Sequence, residues 1–174
     1  MRPPALRVRQ ARLDDAEPMA RVVVSANSIF RGLVPEASLV SYEESAANWR
    51  RCLREKPPNE YLYVAEEETG EVVGLAMCGP QGDSDPLYRG EIYILYVLES
   101  RQRQGIGRLL VRRAAERLAE DGITSLLIRC MAVNPNRAFY ERLGGAAVRE
   151  RTIEECGATL TELAYGWTDT RVLR

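Results

Sequence analysis

The segment from Glu91 to Leu110, EIYILYVLESRQRQGIGRLL, restricts this chain more than any other. An apolar strand leads through a polar turn into Gly105-Ile106-Gly107 and directly into an amphipathic helix. Glycines at such a turn let successive N–H groups point at one spot, and the helix start adds roughly half a positive charge. The segment therefore predicts a phosphate or pyrophosphate site, with formal charge from Arg101, Arg103 and Arg108. A dinucleotide-binding sheet needs G-x-G-x-x-G and an acidic residue after the next strand. Here Leu110 holds the third glycine position and the next strand leads to Met131-Ala132-Val133, so that fold is excluded. On Gly-x-Gly alone, a glycine-started helix with solvated arginines is the simpler explanation.

Side-chain chemistry narrows the reading. Of the 174 residues, 23 are Arg, one is Lys and none is His. Without histidine there is no Ser-His-Asp or Cys-His hydrolase, no His-ligated metal and no imidazole base. Proton transfer falls to Asp, Glu, Tyr, Cys or water. The single lysine, Lys56, lies in a Lys-Pro-Pro turn, which argues against a Walker-type loop or a Schiff-base enzyme. Length and 45% hydrophobic content suit one domain, residues 1–174, with one core. A net charge of −1 suggests no nucleic-acid face. Cys52, Cys78, Cys130 and Cys156 are scattered, as reduced core thiols are, and show no metal spacing. Met1 to Ala20 has no apolar leader region and no stretch is long and apolar enough for a bilayer, so the expected setting is the cytoplasm, without membrane contact.

Periodicity predicts a strand at Leu6–Gln10 and a helix from Asp14 or Asp15, as cap, to about Phe30. Ser41 and Glu44 form a capping box for a helix ending near Glu55. A hairpin joins Tyr61–Glu66 and Val72–Cys78, a mobile loop covers Gly79–Gly90, and Glu91–Val97 is a central strand. A helix from Gly105 stops at Gly122, a nearly unbroken apolar strand covers Ser125–Met131, and a short helix covers Asn136–Leu143. Ala146–Glu155 and Thr159–Trp167 pair through a turn at Gly157. The order β-α-α-β-β-β-α-β-α-β-β is a mixed α/β (α+β) sheet with flanking helices.

Two spaced motifs carry a resemblance. Gln102-Arg103-Gln104-Gly105-Ile106-Gly107 resembles the Gln/Arg-x-x-Gly-x-Gly/Ala hallmark of the GNAT acyltransferases, and Asn134-Pro135-Asn136-Arg137-Ala138-Phe139-Tyr140-Glu141-Arg142-Leu143-Gly144 is similar to a downstream block of many bacterial members. The resemblance covers essentially the whole chain. It implies a mostly antiparallel sheet whose fourth and fifth strands splay apart to admit the pantetheine arm of acetyl-CoA. The backbone of Tyr96 and Val97 would bond the pantetheine and polarise the thioester carbonyl. Amides from Arg103 to Arg108, with Gln102, Gln104, Gly105, Ile106 and Gly107 in the same loop, would wrap the pyrophosphate. Asn134 and Asn136 would hold the opposite side. Two departures stand out: Gln104 replaces a common Arg or Lys, and Gly144-Gly145 replaces a common Gly-Phe. Relatives are often homodimers.

The implied activity is N-acetyl transfer to a primary amine in a direct ternary complex, with acetyl-CoA as donor and no metal. The alternatives are a protein N-terminus or lysine as acceptor, or an acyl-CoA-binding module without catalysis. An alkylammonium of pKa ~10.4 must lose a proton, roughly 4.6 kcal/mol uphill at pH 7. Glu91 is the candidate base, placed by alternation on one face with Tyr93, Leu95 and Val97; a solvated strand-edge glutamate is the competing reading. Tyr140 matches the family's general acid for the leaving thiolate, against a packed helix tyrosine. Cys130 reads as a core thiol, and Trp49, Phe139 and Trp167 as core anchors. Phe30 to Pro35, Tyr93 and the Gly79–Gly90 loop are the expected acceptor site. Glu66, Glu67, Glu68 and Glu71 could draw a polyamine, although a solvated hairpin tip explains them too.

Overall fold

The computed structural model describes residues 5–83 and 85–174; the first four residues of the expected leaderless N-terminus, and Ser84 within the expected loop, lie outside them. In chain order the elements are β1 (Leu6–Gln10), α1 (Ala16–Asn27), α2 (Tyr42–Glu55), β2 (Tyr61–Glu67), β3 (Val72–Pro80), β4 (Gly90–Val97), α3 (Ile106–Glu120), β5 (Leu126–Met131), α4 (Ala138–Arg142), β6 (Ala146–Glu155) and β7 (Ala158–Trp167). The strands form one sheet in the order β1-β2-β3-β4-β5-β7-β6. Every neighbouring pair is antiparallel except β4 and β5. No helix among the described residues is long and apolar enough to cross a membrane.

Helices cover both faces. Gly74 of β3 lets α3 lie close, since a Cβ there would meet Ile106 and Leu110 at 3.1 Å. On the opposite face Cys52 of α2 reaches Met77 of β3, sulfur to sulfur 3.9 Å, and Trp49 is buried beside them. The start of α2 is as the capping box predicts: Glu44 N donates to Ser41 Oγ at 3.2 Å and Ser41 N donates to Glu44 Oε2 at 3.0 Å. Asp15 behaves otherwise. Its carboxylate does not cap α1 but accepts from Arg9 at 2.7 and 2.9 Å and from Arg12 N at 2.7 Å, because a half-buried guanidinium on β1 competes for it.

The sheet parts between β4 and β5. Only Gly90–Ile92 pairs with Leu126–Ile128, yet β4 continues to Val97 along β3 and β5 to Met131 along β7. A bulge explains where the separation begins. Cys78 pairs with Ile92 and Met77 with Ile94, so Tyr93 is an extra residue immediately beyond the last parallel pair. A bulge bends and twists its strand, which carries β4 away from β5.

The bulge also corrects the expected alternation. By register, Glu91 shares a face with Ile94 and Tyr96, while Leu95 and Val97 join Ile92 on the α3 face. Tyr93 stays on the Glu91 side, where its hydroxyl lies against Gly79 and donates to the Pro80 carbonyl. Of the expected mobile loop Gly79–Gly90, the ends belong to β3 and β4, and described residues between them are tied down. Gln81 Oε1 accepts from the Asp83 and Asp85 amides, Asp85 Oδ1 accepts from those of Leu87 and Tyr88, and Arg149 pairs with Asp85.

Candidate active site

A cavity of about 1000 Å³ opens where β4 and β5 part and runs through the sheet. At one end stand Phe30, Val34 and Leu39 of the segment between α1 and α2; at the other, the turn leading into α3 and the start of α4. Phe30, Val34 and Tyr93 of the expected acceptor site line it, whereas no described residue of 79–90 does. Three of the four glutamates near the β2–β3 turn are paired with arginines, Glu66 with Arg9 and Glu67 and Glu71 with Arg101, and only Glu68 has no ion pair among the described residues.

The turn before α3 is built around unspent amides. Arg101 N donates to Leu98 O and Gln102 N to Glu99 O, and the next bonded amide is Leu109 N, which reaches Gly105 O at 3.1 Å. Between them the six amides of residues 103–108 have no acceptor among the described residues. Two left-handed residues, Arg103 at φ 61° and Gly105 at φ 85°, curl this run, and glycine takes that conformation at no steric cost. Arg103 and Arg108 have no acidic partner within 4.0 Å among the described residues, whereas Arg101, at 2.6 Å from Glu67, is committed elsewhere. Gln104 Nε2 donates to Ser100 O at 3.4 Å, which stiffens the turn. Gly107 is needed for contact: a Cβ there would meet the Phe139 ring at 3.1 Å.

A polar bridge spans the two arms of the cleft. Gln102 Nε2 donates to Val97 O at 3.3 Å and Gln102 Oε1 accepts from Asn136 Nδ2 at 3.3 Å. Asn134 Oδ1 accepts from Asn136 N at 2.8 Å, so its carboxamide oxygen shapes the turn before α4. The ladder phase distinguishes Tyr96 from Val97. Leu98 N donates to Val73 O at 2.9 Å, so Tyr96, two residues earlier, also spends its backbone groups on β3. Those of Val97 and Leu95 face the cleft. Tyr96 contributes its side chain to the cavity wall instead.

Glu91 lies one residue before the last parallel pair and does not line the cavity. Its Oε1 accepts from Arg129 Nε at 3.0 Å; Oε2 has no protein donor among the described residues and is not enclosed. Burial raises the carboxyl above its ordinary value despite the opposing pull of Arg129. Tyr140 is 8% exposed and lines the cavity, its ring stacked on Tyr165 at 5.3 Å. Burial, then Cys130, Tyr96 and Tyr165, push its phenol well above 10. Cys130 also lines the cavity, but burial pushes its thiol up to about 11, so it stays protonated near neutrality.

Among the cavity residues that sequence reasoning passed over are Arg129 and Glu162. The signal for the first was present, since Arg129 is the one charge in the strand Ser125–Met131. The Gly144-Gly145 departure has a structural reason. A Cβ on Gly145 would lie 2.5 Å from the Trp167 indole, which covers this position and donates to Leu143 O at 3.0 Å. Among the described residues no group of three or more His, Cys, Asp or Glu is placed to hold a metal ion.

Comparison with known proteins completes the description. The family model described as Acetyltransferase (GNAT) family matches residues 26–145. The chain is 34% identical over 171 residues to the uncharacterized N-acetyltransferase YuaI of Bacillus subtilis, spanning 96% of this chain and 95% of that protein. Among solved structures, an N-acetyltransferase from Staphylococcus aureus Mu50 superposes with a TM-score of 0.70 at 21% identity, over 98% of this chain and 99% of that one. The PaiA N-acetyltransferase from Thermoplasma acidophilum, solved in complex with coenzyme A, gives 0.67 at 15% identity, over 91% of this chain and 98% of that one. At these identities the two structures speak for the fold.

Proposed function

Because the chain belongs to the GNAT family of acetyltransferases, we propose that it moves the acetyl group of acetyl-CoA to a primary amine by direct attack in a ternary complex. One observation carries the reading: the run of six unspent amides curled at the head of α3, five of whose residues (all but Gln104) line the cavity, shares that cavity with the unpaired edge of β4. An anionic pyrophosphate satisfies the first set, and an extended amide-bearing arm satisfies the second as an added strand would. The donor set therefore fits coenzyme A.

In this reading the amides of Arg103, Gln104, Gly105, Ile106, Gly107 and Arg108 hold the pyrophosphate, with the Arg103 and Arg108 guanidiniums adding charge. The backbone of Val97 and Leu95 holds the pantetheine, and an N–H from this edge polarises the thioester carbonyl. Gln102 and Asn136, with Asn134 behind them, close the facing side. Bound acetyl-CoA supplies the thioester. Glu91 takes the proton of the acceptor ammonium through water at Oε2, since Arg129 stands between its carboxylate and the cavity. Tyr140 is kept a phenol and donates a hydrogen bond to the departing sulfur. The proton shed by the attacking nitrogen balances the one sulfur takes, so the net change is amine plus thioester to amide plus thiol. The acceptor enters from the Phe30–Leu39 end.

The test is thiol release from acetyl-CoA with small amines, polyamines, and peptides bearing a free N-terminus or lysine. Release with a small amine supports the proposal. Release with peptides alone moves the acceptor to protein. Tight coenzyme A binding without release for any acceptor overturns catalysis and leaves a binding module.

A further inference from the structure

Arg129 is the first residue of β5 beyond the last pair with β4, and its antiparallel partner on the other side is Ala164. Its side chain stands on the Glu91 face of the sheet, beside the point where the strands part, and lines the cavity. There it is 13% exposed and reaches three elements. Nε donates to Glu91 Oε1 on β4 at 3.0 Å, one terminal nitrogen to Asp83 Oδ2 at 2.6 Å, and the other lies 4.0 Å from Glu162 Oε2 on β7. Glu91 and Glu162 are 12% and 16% exposed, and Glu162 is also held by Arg151 at 2.6 Å. A single half-buried cation thus serves three carboxylates at the vertex of the cleft, and it lines the cavity while Glu91 does not.

We propose that Arg129 is a positioning residue for acceptor deprotonation: it fixes Glu91 through Oε1 at the vertex where β4 and β5 part, leaving Oε2 alone to exchange protons with water. The proposal rests on Glu91 as the base. The charged groups acting most strongly on Glu91 are Arg129 from β5, Asp83 from the segment between β3 and β4, and Glu162 from β7; the Glu60 side chain lies against Gly79, the β3 partner of Glu91. The phenol of Tyr93, bonded to Pro80 O, is the remaining titratable neighbour. Arg129 is the only one of these groups that favours the ionised carboxylate. Its loss leaves burial and like charges, all acting to keep the proton on Glu91.

The experiment is a 13C NMR titration of side-chain carboxyl carbons in the full chain, with the Glu91 signal assigned by its absence in Glu91→Gln. In Arg129→Gln the Glu91 midpoint should rise by about 1–3 pH units, the range an adjacent opposite charge commands. Asp83→Asn should lower it, because a like charge goes and Arg129 is shared less. Arg129→Lys should give a rise smaller than that of Arg129→Gln. The acid limb of kcat should follow the NMR midpoint in each variant, with coenzyme A affinity unchanged. An unmoved midpoint in Arg129→Gln overturns the role of Arg129. A midpoint that moves while the acid limb stays overturns Glu91 as base and leaves the contact a structural one. Where Arg129→Gln fails to fold, Asp83→Asn and Arg129→Lys decide, and unmoved midpoints in both overturn the proposal.

Discussion

Gly105 offers the sharpest test of the amide cradle, because its structure separates backbone strain from steric conflict. It caps α3 at φ 85°, and a Cβ built on it meets nothing within 4 Å. Gly105→Ala therefore adds only the left-handed penalty, about 1–2 kcal/mol, which is about 5- to 30-fold in an equilibrium constant. The loss appears in coenzyme A affinity where the turn relaxes, and in melting temperature where it does not. Gly105→Asn should lose less than Gly105→Ala, because Asn tolerates this region. Gly105→Glu adds a carboxylate beside the phosphates. At about 6 Å each charge pair costs ~0.7 kcal/mol in water and ~3 kcal/mol at an effective dielectric of 20. Two phosphate charges plus strain give at least ~2.4 kcal/mol, a loss of about fiftyfold or more. Calorimetric titration with coenzyme A, paired with thermal melts, reads both quantities. A folded Gly105→Glu protein that binds within about threefold of wild type refutes the cradle, because no screening inside these bounds hides so close a charge.

Three further outcomes follow from particular contacts. Tyr140→Phe keeps the ring stacked on Tyr165 and should lower kcat by about a hundredfold with coenzyme A affinity intact; unchanged turnover would leave Tyr140 a packing residue. Gly145→Ala places a Cβ 2.5 Å from the Trp167 indole and 3.0 Å from the Tyr140 carbonyl, so the melting temperature should fall by the equivalent of about 1–3 kcal/mol. Asp15→Asn breaks a pairing in which Arg9 and Asp15 are 12% and 8% exposed, at a cost of about 3 kcal/mol near neutrality. Burial alone would raise the Asp15 carboxyl, but bonds from Arg9 and the Arg12 amide leave it lowered from 3.8. The stability difference between wild type and variant should be complete above that ordinary value and vanish as pH falls through the lowered one. Urea melts at several pH values check the sign.

What could be read in the sequence was what depends on neighbours along the chain. The Ser41–Glu44 box, the stop at Lys56-Pro57-Pro58 and the left-handed Gly105 before an amphipathic helix each follow from a few consecutive residues. The face of Leu95 and Val97 did not, because strand alternation holds only until a partner strand imposes a bulge, and the extra residue at Tyr93 is decided by pairing with Cys78 and Met77. Asp15 failed as a cap for the same reason: Arg9 and Glu66 meet across β1 and β2, and the carboxylate follows the stronger donor. Gly145 in place of a common aromatic shows the same dependence on distant partners. It is an exchange, since Trp167 fills that position from 22 residues downstream.

The absence of histidine bears most directly on the pH dependence. Of the cavity's titratable walls, Cys130 is pushed up to about 11 and the Tyr140 phenol well above 10, so both remain protonated through neutrality. Glu91 is the carboxyl near the vertex that burial moves upward, toward the operating pH. A base of that kind needs two opposed influences, burial to raise it and a cation to keep it ionised when an ammonium arrives. Lysine could supply the second as a point charge, yet a lysine has no fork with which to reach Glu91, Asp83 and Glu162 from one position. The excess of arginine over lysine therefore matters less for phosphate, which meets main-chain amides, than for the vertex, where a single guanidinium ties three elements to one carboxylate.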